Sequence, residues 1–467
     1  MISKLFREYD IRGIADTELT SPFAWSLGRA LADLLSSEDE KNCYICEDVR
    51  LSSPRLAENL ASGLEAGGIK VQRLNPGPTP ILYFAAHEST ADFKTQSGVM
   101  ITGSHNPAEF NGFKMVIKGK AIYGESIQAL LAPVQKYLQQ VPTSPTSTAK
   151  KVDREEDYIH FLKGNLKIKN PSEIKVVLDA GNGAAGPLAV KAYTRLGLQV
   201  VPLFCDFDGS FPNHHPDPTV PKNLVALQEK VANEKAQLGI AYDGDGDRIG
   251  VVSAEGKILY GDQILLYLSR ALLKEVPGAK IISEVKSSQL LYDELARLGA
   301  KPIIWKTGHS LIKAKLKETG AELAGEMSGH IFFQNRFFGY DDALYAGLRF
   351  IEALSLDSES VDAFMEKLPK VYNTPEIRSD CPDEEKFAVV EKFVALAKKE
   401  YGSENVLDID GARIKFPGLG WGLLRASNTQ PVIVMRFEGV TAEALAQVKS
   451  SIAALLATIS TSVKVPE

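Results

Sequence analysis

The sequence predicts an α/β protein built from several domains, and three observations carry that prediction. Short apolar runs alternate with helical patterns through most of the chain, as expected when helices cover layered sheets. The 467 residues exceed what one compact core holds, so three or four domains are expected. A stretch rich in proline, serine and threonine, VPTSPTSTAKK from Val141, interrupts the alternation as a linker would.

In chain order, CYICED, GVMITG, IKVVLDA, LGIAYDG, KIISEV and KPIIWKTG read as buried strands. Each closes on a polar or glycine-rich turn, and in such sheets chemistry collects at the carboxyl ends of the strands. Further on, PDEEKFAVVEKFVALAKKE reads as a helix and PVIVMRFEG as a strand. The linker sets a first boundary near residue 149, and others are read near Glu255–Lys257 and Pro369–Pro375. The expected domains are 1–149, 150–256, 257–369 and 370–467.

Composition narrows the function classes. With 44% hydrophobic and 24% charged residues, the chain reads as an ordinary soluble globular protein. No segment is apolar and long enough to span a bilayer, and MISKLFREYDIRG lacks the apolar core of a signal peptide, so a cytoplasmic location with no membrane partner is expected. A net charge of −6 argues against nucleic acid as a partner, although it leaves room for a basic pocket that takes a small anion. Four cysteines cannot form a disulfide framework. Cys43 and Cys46 make a C-x-x-C, but on a strand residues three apart point to opposite faces and chelate poorly. They read as packing residues.

AYDGDGDRIG is the strongest local signal. Asp243, Asp245 and Asp247 alternate with glycines that let the backbone fold tightly and bring three carboxylates together. That set of hard oxygen ligands suits Mg²⁺, which favours carboxylates, waters and substrate phosphates. A solvated acidic turn is the plainer alternative, yet three repelling carboxylates beside an apolar strand call for a cation. An EF-hand fails, since its sixth position is Arg248 rather than Gly and its twelfth is Ala254 rather than Glu.

TGSHNP follows the run GVMI, and its serine, Ser104, could be a nucleophile, a phosphate carrier or a helix cap. A serine-hydrolase elbow would read G-x-S-x-G, whereas Asn106 stands where the last glycine belongs. A carboxylate-bound Mg²⁺ implies phosphate chemistry, and a phosphate on Ser104 would sit well near helix amides. RASNTQP packs Arg425, Ser427, Asn428 and Thr429 into one short segment, where a guanidinium can fork onto a phosphate and the neighbours add neutral donors. GEMSGH offers Glu326, Ser328 and His330 between glycines, a set suited to vicinal hydroxyls. KVVLDAGNGAAG places Gly181, Gly183 and Gly186 in G-x-G-x-x-G spacing, with Asp206 twenty residues on. That spacing raises a dinucleotide-dependent oxidoreductase as a rival. It leaves the acidic and arginine loops unexplained and reads better as a tight strand-to-helix turn.

Taken together, REYDIRG, TGSHNP, NGFK, FPNHHPDP, DGDGDR, WKTGHSLIK, GEMSGH and RASNTQP resemble the α-D-phosphohexomutase family in composition and order. The resemblance is strongest to its bacterial phosphomannomutase/phosphoglucomutase branch and runs nearly end to end. It implies a four-domain, heart-shaped architecture, with three related α/β domains of mixed sheets and a smaller C-terminal α+β domain around one central cleft. It implies reversible phosphoryl transfer between the 1- and 6-positions of mannose and glucose phosphates, through a phosphoserine at Ser104 and a hexose 1,6-bisphosphate. Mg²⁺ would be held by Asp243, Asp245, Asp247 and a phosphoserine oxygen, with glucose 1,6-bisphosphate as activator. By the same resemblance Tyr9, Arg12, Lys114, Arg248, Lys286 and His309 line the cleft, with Arg12, Lys114, Arg248 and His309 joining Ser104 in the chemistry. Glu326, Ser328 and His330 would contact sugar hydroxyls, and Arg425, Ser427, Asn428 and Thr429 the phosphate that is not reacting. A monomer acting on hexose phosphates is expected. Phosphoglucosamine mutase is the nearest alternative. One departure stands out, since the family commonly has Gly-Arg where this chain has Cys46 and Glu47.

Overall fold

The computed structural model describes residues 2–460, 463 and 465. The chain divides into two compact units, Met1–Leu268 with Ser328–Phe364, and Ser269–Met327 with Met365–Glu467.

The first unit opens on a mixed sheet. Its strands run in the order Ile11–Ile14, Phe110–Ile117, Gly98–Ile101, Asn42–Glu47, Lys70–Leu74 and Lys150–Val152. The Asn42–Glu47 strand is parallel to both neighbours, while Phe110–Ile117 runs antiparallel to Gly98–Ile101 and Ile11–Ile14. Gly98–Ile101 is buried throughout, which is why it reads as an unbroken apolar run. The helices Ser21–Ser37 and Ser53–Ala66 cross at glycine. A Cβ on Gly28 would lie 2.3 Å from the Leu60 carbonyl oxygen, so only glycine permits that approach. Thr20 caps the first of these helices, its hydroxyl accepting from the Phe23 N–H at 3.3 Å. Cys43 and Cys46 are free and fully buried.

The second sheet runs Ile258–Leu259, Ile249–Ser253, Leu238–Tyr242, Lys175–Asp179, Gln199–Leu203. Leu238–Tyr242 and Ile249–Ser253 form an antiparallel hairpin, and DGDGD is its turn. In the second unit, Lys280–Glu284 lies parallel between Lys301–Trp305 and Leu323–Gly325. Its C-terminal portion is of another kind. There an antiparallel sheet built on Ala412–Phe416, Gly420–Ala426 and Val432–Gly439 shares a core with the helices Asp383–Tyr401 and Ala442–Ala457.

Two expected boundaries meet short strands that carry no readable periodicity. Residue 149 falls one position before Lys150–Val152, which pairs with Lys70–Leu74 and so extends the first sheet. The linker ahead of it is tied down, with the Ser147 N–H on Glu58 and the Thr148 N–H on Glu65. Residues 255–257 lie in the turn before Ile258–Leu259, which still pairs with the second sheet.

Candidate active site

Three buried aspartates meet Ser104 in the first unit. The tight DGDGD turn depends on Gly246, at φ +72°, a conformation glycine adopts without strain. One oxygen from each of Asp243, Asp245 and Asp247 lies within 4.8 Å of the others. The second oxygens are committed to the protein. Asp243 Oδ1 accepts from the Asp247 and Arg248 N–H groups, each at 3.1 Å. Asp245 Oδ2 accepts from Thr79 Oγ1 at 2.5 Å and Lys114 Nζ at 2.7 Å, and Asp247 Oδ2 from the same Nζ at 2.5 Å. Among the described residues, Asp245 Oδ1 and Asp247 Oδ1 are buried and take no hydrogen bond. Orphaned buried oxygens are rare, and here they complete a hard-oxygen donor set that fits a divalent cation.

Ser104 donates from Oγ to Asp243 Oδ2 at 2.8 Å, and its Oγ stands 3.1 Å from His105 Nδ1. Its own N–H is held by Thr102 Oγ1 at 2.8 Å. Arg12, on the Ile11–Ile14 strand, reaches the Gly103 carbonyl at 3.4 Å and Asp10 at 2.5 Å. Tyr9 is half-buried just ahead of that strand. Arg248 donates from Nε to His330 Nε2 at 3.0 Å, and His330 Nδ1 lies 3.0 Å from Asp341 Oδ2. His330 is thus buried between a cation and a carboxylate, while Ser328 is partly exposed.

The electrostatics follow from this crowding. Burial, with the carboxylates of Asp245 and Asp247 beside it, pushes Asp243 well above the usual carboxylate range. For Asp245, burial is outweighed by Lys114 and by the hydrogen bonds it accepts, which hold it low. Burial would depress Lys114, yet Asp245 and Asp247 keep its ammonium well above the ordinary value. His105 goes the other way, since burial and the cations Arg248 and Arg12 hold its imidazole neutral.

The second unit holds the remaining residues. Arg425, on Gly420–Ala426, donates from Nε to Asp410 Oδ2 at 3.0 Å, and the same oxygen takes the Thr307 N–H at 3.0 Å. Ser427 Oγ accepts from the Gln430 N–H at 3.2 Å, closing the turn that carries Asn428 and Thr429. Glu326 accepts from the Gly308 N–H at 2.7 Å, directly before the helix His309–Thr319. Lys286 Nζ lies 3.1 Å from Glu376 and 3.6 Å from Glu284. Burial would lower its pKa, but those two carboxylates raise it. The division into units falls inside GEMSGH, with Glu326 in the second unit and Ser328 and His330 in the first.

Sequence reasoning missed Thr79, Asp410 and the pair Asp48 and Arg50. The last two stand at the carboxyl end of Asn42–Glu47, the position that flagged Ser104, and could have been found by that rule. Thr79 and Asp410 give no local signal. The glycine fingerprint resolves as packing. A Cβ on Gly183 would lie 2.8 Å from the Gly244 carbonyl oxygen, and one on Gly186 2.1 Å from that of Cys205. The protein's own backbone at Gly244 and Cys205 accounts for both glycines, so their spacing calls for no pyrophosphate. Glu47, the departure from the family pattern, is buried and paired with Arg73 at 2.8 Å.

Four phosphoglucomutase/phosphomannomutase descriptions match in order: alpha/beta/alpha domain I at residues 3–140, domain II at 156–256, domain III at 260–372 and the C-terminal domain at 376–455. A phosphomannomutase/phosphoglucomutase of Pseudomonas aeruginosa is 42% identical over 464 residues, covering 99% of this chain and 98% of that protein. A phosphoglucomutase of Neisseria meningitidis serogroup A is 43% identical over 453 residues, covering 97% and 96%. The crystal structure of a phosphoglucomutase/phosphomannomutase family protein from Burkholderia thailandensis superposes with a TM-score of 0.92 at 40% identity, covering 100% of this chain and 99% of the other. Similar along nearly its whole length in sequence and in fold, the chain belongs to the phosphoglucomutase/phosphomannomutase family.

Proposed function

We propose that the chain is a phosphomannomutase/phosphoglucomutase, which moves a phosphoryl group reversibly between the 1- and 6-positions of mannose and glucose phosphates. The contact of Ser104 Oγ with Asp243, 2.8 Å away inside a ring of buried carboxylates, is the observation that carries the reading. In it Ser104 is the phosphoryl carrier. The phosphoserine P–O bond breaks as a bond forms to the 6-hydroxyl of a hexose 1-phosphate, and the hydroxyl proton passes to a nearby base. The resulting 1,6-bisphosphate turns over and returns its 1-phosphoryl group to Ser104.

Asp243, Asp245 and Asp247 would hold Mg²⁺ with an oxygen of the phosphoserine. When bound, the ion offsets charge on the transferring group. Arg248 and Arg12 add fixed positive charge beside Ser104, and Lys114 and His309 are the groups assigned to the proton, with Lys114, held as an ammonium by Asp245 and Asp247, on the donating side. Lys286, Tyr9, Glu326, Ser328 and His330 are assigned to the sugar. Arg425, Ser427, Asn428 and Thr429 are assigned to the phosphate at rest, and because each end of the sugar must take that place in turn, a general anion grip suits it. Glucose 1,6-bisphosphate would prime the enzyme, which we take to be a cytoplasmic monomer of four domains divided near residues 149, 256 and 369. Among the described residues no helix is long and apolar enough to cross a membrane.

Turnover on mannose 1-phosphate, glucose 1-phosphate and glucosamine 1-phosphate tests the substrate class. The first two should be converted and the third poorly. Preference for the aminosugar would make the protein a phosphoglucosamine mutase.

A further inference from the structure

Ser104 has φ +49°, a left-handed backbone that is unfavourable for any residue with a side chain. The surrounding structure must hold it there, and Arg50 does so. Its side chain is about 1% exposed, and all five of its N–H groups are engaged. Nε donates to Asp48 Oδ2 at 3.2 Å. Nη1 donates to the carbonyls of Pro107 at 2.5 Å and Phe110 at 2.9 Å, and Nη2 to those of Ser104 at 2.7 Å and Asn106 at 2.6 Å. Asp48 completes the clasp, its Oδ2 accepting from the Gly103 N–H at 3.2 Å while Oδ1 takes Ser53 Oγ at 2.5 Å.

This arrangement gives the glycine before the serine a reason. A Cβ on Gly103 would lie 2.4 Å from Arg50 Cζ, so the arginine can reach four carbonyls of the loop only because residue 103 has no side chain. From the other side the Phe211 ring covers the guanidinium, its centroid 5.1 Å from Cζ. Gly209 lets that covering segment approach, since a Cβ there would lie 2.8 Å from Arg50 Cα.

We infer that Arg50 is a positioning residue for the phosphoryl carrier. It makes no hydrogen bond to Ser104 Oγ or to Asp243, Asp245 and Asp247. It gathers the carbonyl oxygens of residues 104, 106, 107 and 110 onto one cation, so that the backbone cannot turn them towards a phosphate on the serine. Ser104 thereby keeps one position against Asp243 while the phosphoryl group arrives and leaves. Asp48 holds the guanidinium in turn. The inference rests on Ser104 as carrier.

Arg50→Lys keeps the charge but offers three N–H groups that cannot reproduce the planar fork. A carrier displaced by a fraction of an ångström slows transfer without weakening the grip on the sugar. We expect kcat to fall about tenfold or more, with KM for glucose 1-phosphate within about threefold of wild type. The direct readout is intact mass during incubation with glucose 1,6-bisphosphate. There the P–O bond to the sugar breaks, one to Ser104 Oγ forms, and the serine proton ends on the sugar oxygen. Wild-type protein that gains no phosphate refutes Ser104 as carrier. If wild type gains it and folded Arg50→Lys gains it as fast with unchanged kcat, the positioning role is refuted. A KM that rises in step with the loss of kcat refutes it too. Should Arg50→Lys not fold, Gly103→Ala disturbs the same contact from the other side and is expected to slow transfer likewise. Wild-type transfer in that variant, or loss of fold in both, overturns the inference in favour of a purely structural arginine.

Discussion

Thr79→Val is the sharpest probe of the acidic loop. The two side chains have nearly the same shape, so the substitution removes one hydroxyl and leaves the packing of a fully buried position. That hydroxyl donates to Asp245 Oδ2 at 2.5 Å, and the Thr79 N–H holds the Asp245 carbonyl at 2.8 Å. A hydrogen bond to a charged group contributes about 1.5–3 kcal/mol. Because Lys114 still donates to the same oxygen, the lower end of that range applies. Without the hydroxyl, Asp245 is free to swing towards Lys114, and Oδ1 loses its alignment with the other two aspartates. Outer-shell partners of this kind typically change metal affinity by about 10–100-fold, and about 1.4 kcal/mol corresponds to tenfold. Isothermal titration with Mg²⁺ should therefore show about tenfold weaker binding, and chemical denaturation a stability loss of about 1.5 kcal/mol. Unchanged or tighter Mg²⁺ binding in a folded Thr79→Val protein would refute the role of the threonine in aiming Asp245, and no Mg²⁺ binding to the wild-type protein would refute the metal site.

Arg425→Ala should lower kcat/KM for glucose 1-phosphate by about 1.5–3 kcal/mol, the loss of one charged contact, with Arg425→Lys recovering only part of it. Since the substitution also strips Asp410 of its cation, Arg425→Ala with Asp410→Asn should regain stability but not activity. Steady-state kinetics beside thermal melts separate the two effects. Asp342, which caps the helix Ala343–Leu356, is raised by burial to about 7 against the hydrogen bonds from Tyr345 and Tyr158. The folded protein therefore keeps a proton that the unfolded chain releases. The contribution of Asp342 to stability should fall by about 4 kcal/mol as pH rises from about 4 to about 7 and level off above that. Asp342→Asn should flatten this dependence in denaturation curves across the range, and parallel curves for the two proteins would contradict the assignment.

Much of the fold was legible because strands such as Gly98–Ile101 and Leu238–Tyr242 are buried on both faces and read as apolar runs, although Lys301–Trp305, which also read as buried, is only partly so. DGDGD was legible for a local reason. Alternating glycines announce a tight turn after an apolar strand, and the structure shows that the turn closes a hairpin. Ser104 was legible from its place after a buried strand. The charge partners were not. Thr79 meets Asp245 across 166 residues and Arg248 meets His330 across 82, and no local pattern encodes such pairings. His330 read as a sugar contact from GEMSGH alone, and its two buried partners, Asp341 and Arg248, lie outside that motif. The glycine spacing at 181–186 misled for a physical reason. Close approach of backbone to backbone at Gly244 and Cys205 demands the same missing side chains as close approach to a pyrophosphate.

Whether Ser104 carries the transferred phosphoryl group is decided by locating that group covalently. After incubation with glucose 1,6-bisphosphate and Mg²⁺, the protein should gain the mass of one phosphate. Peptide mapping should place it on Ser104, and Ser104→Ala should gain none while losing mutase turnover by orders of magnitude. A phosphate mapped to another residue, or near-normal turnover in folded Ser104→Ala, would contradict the account.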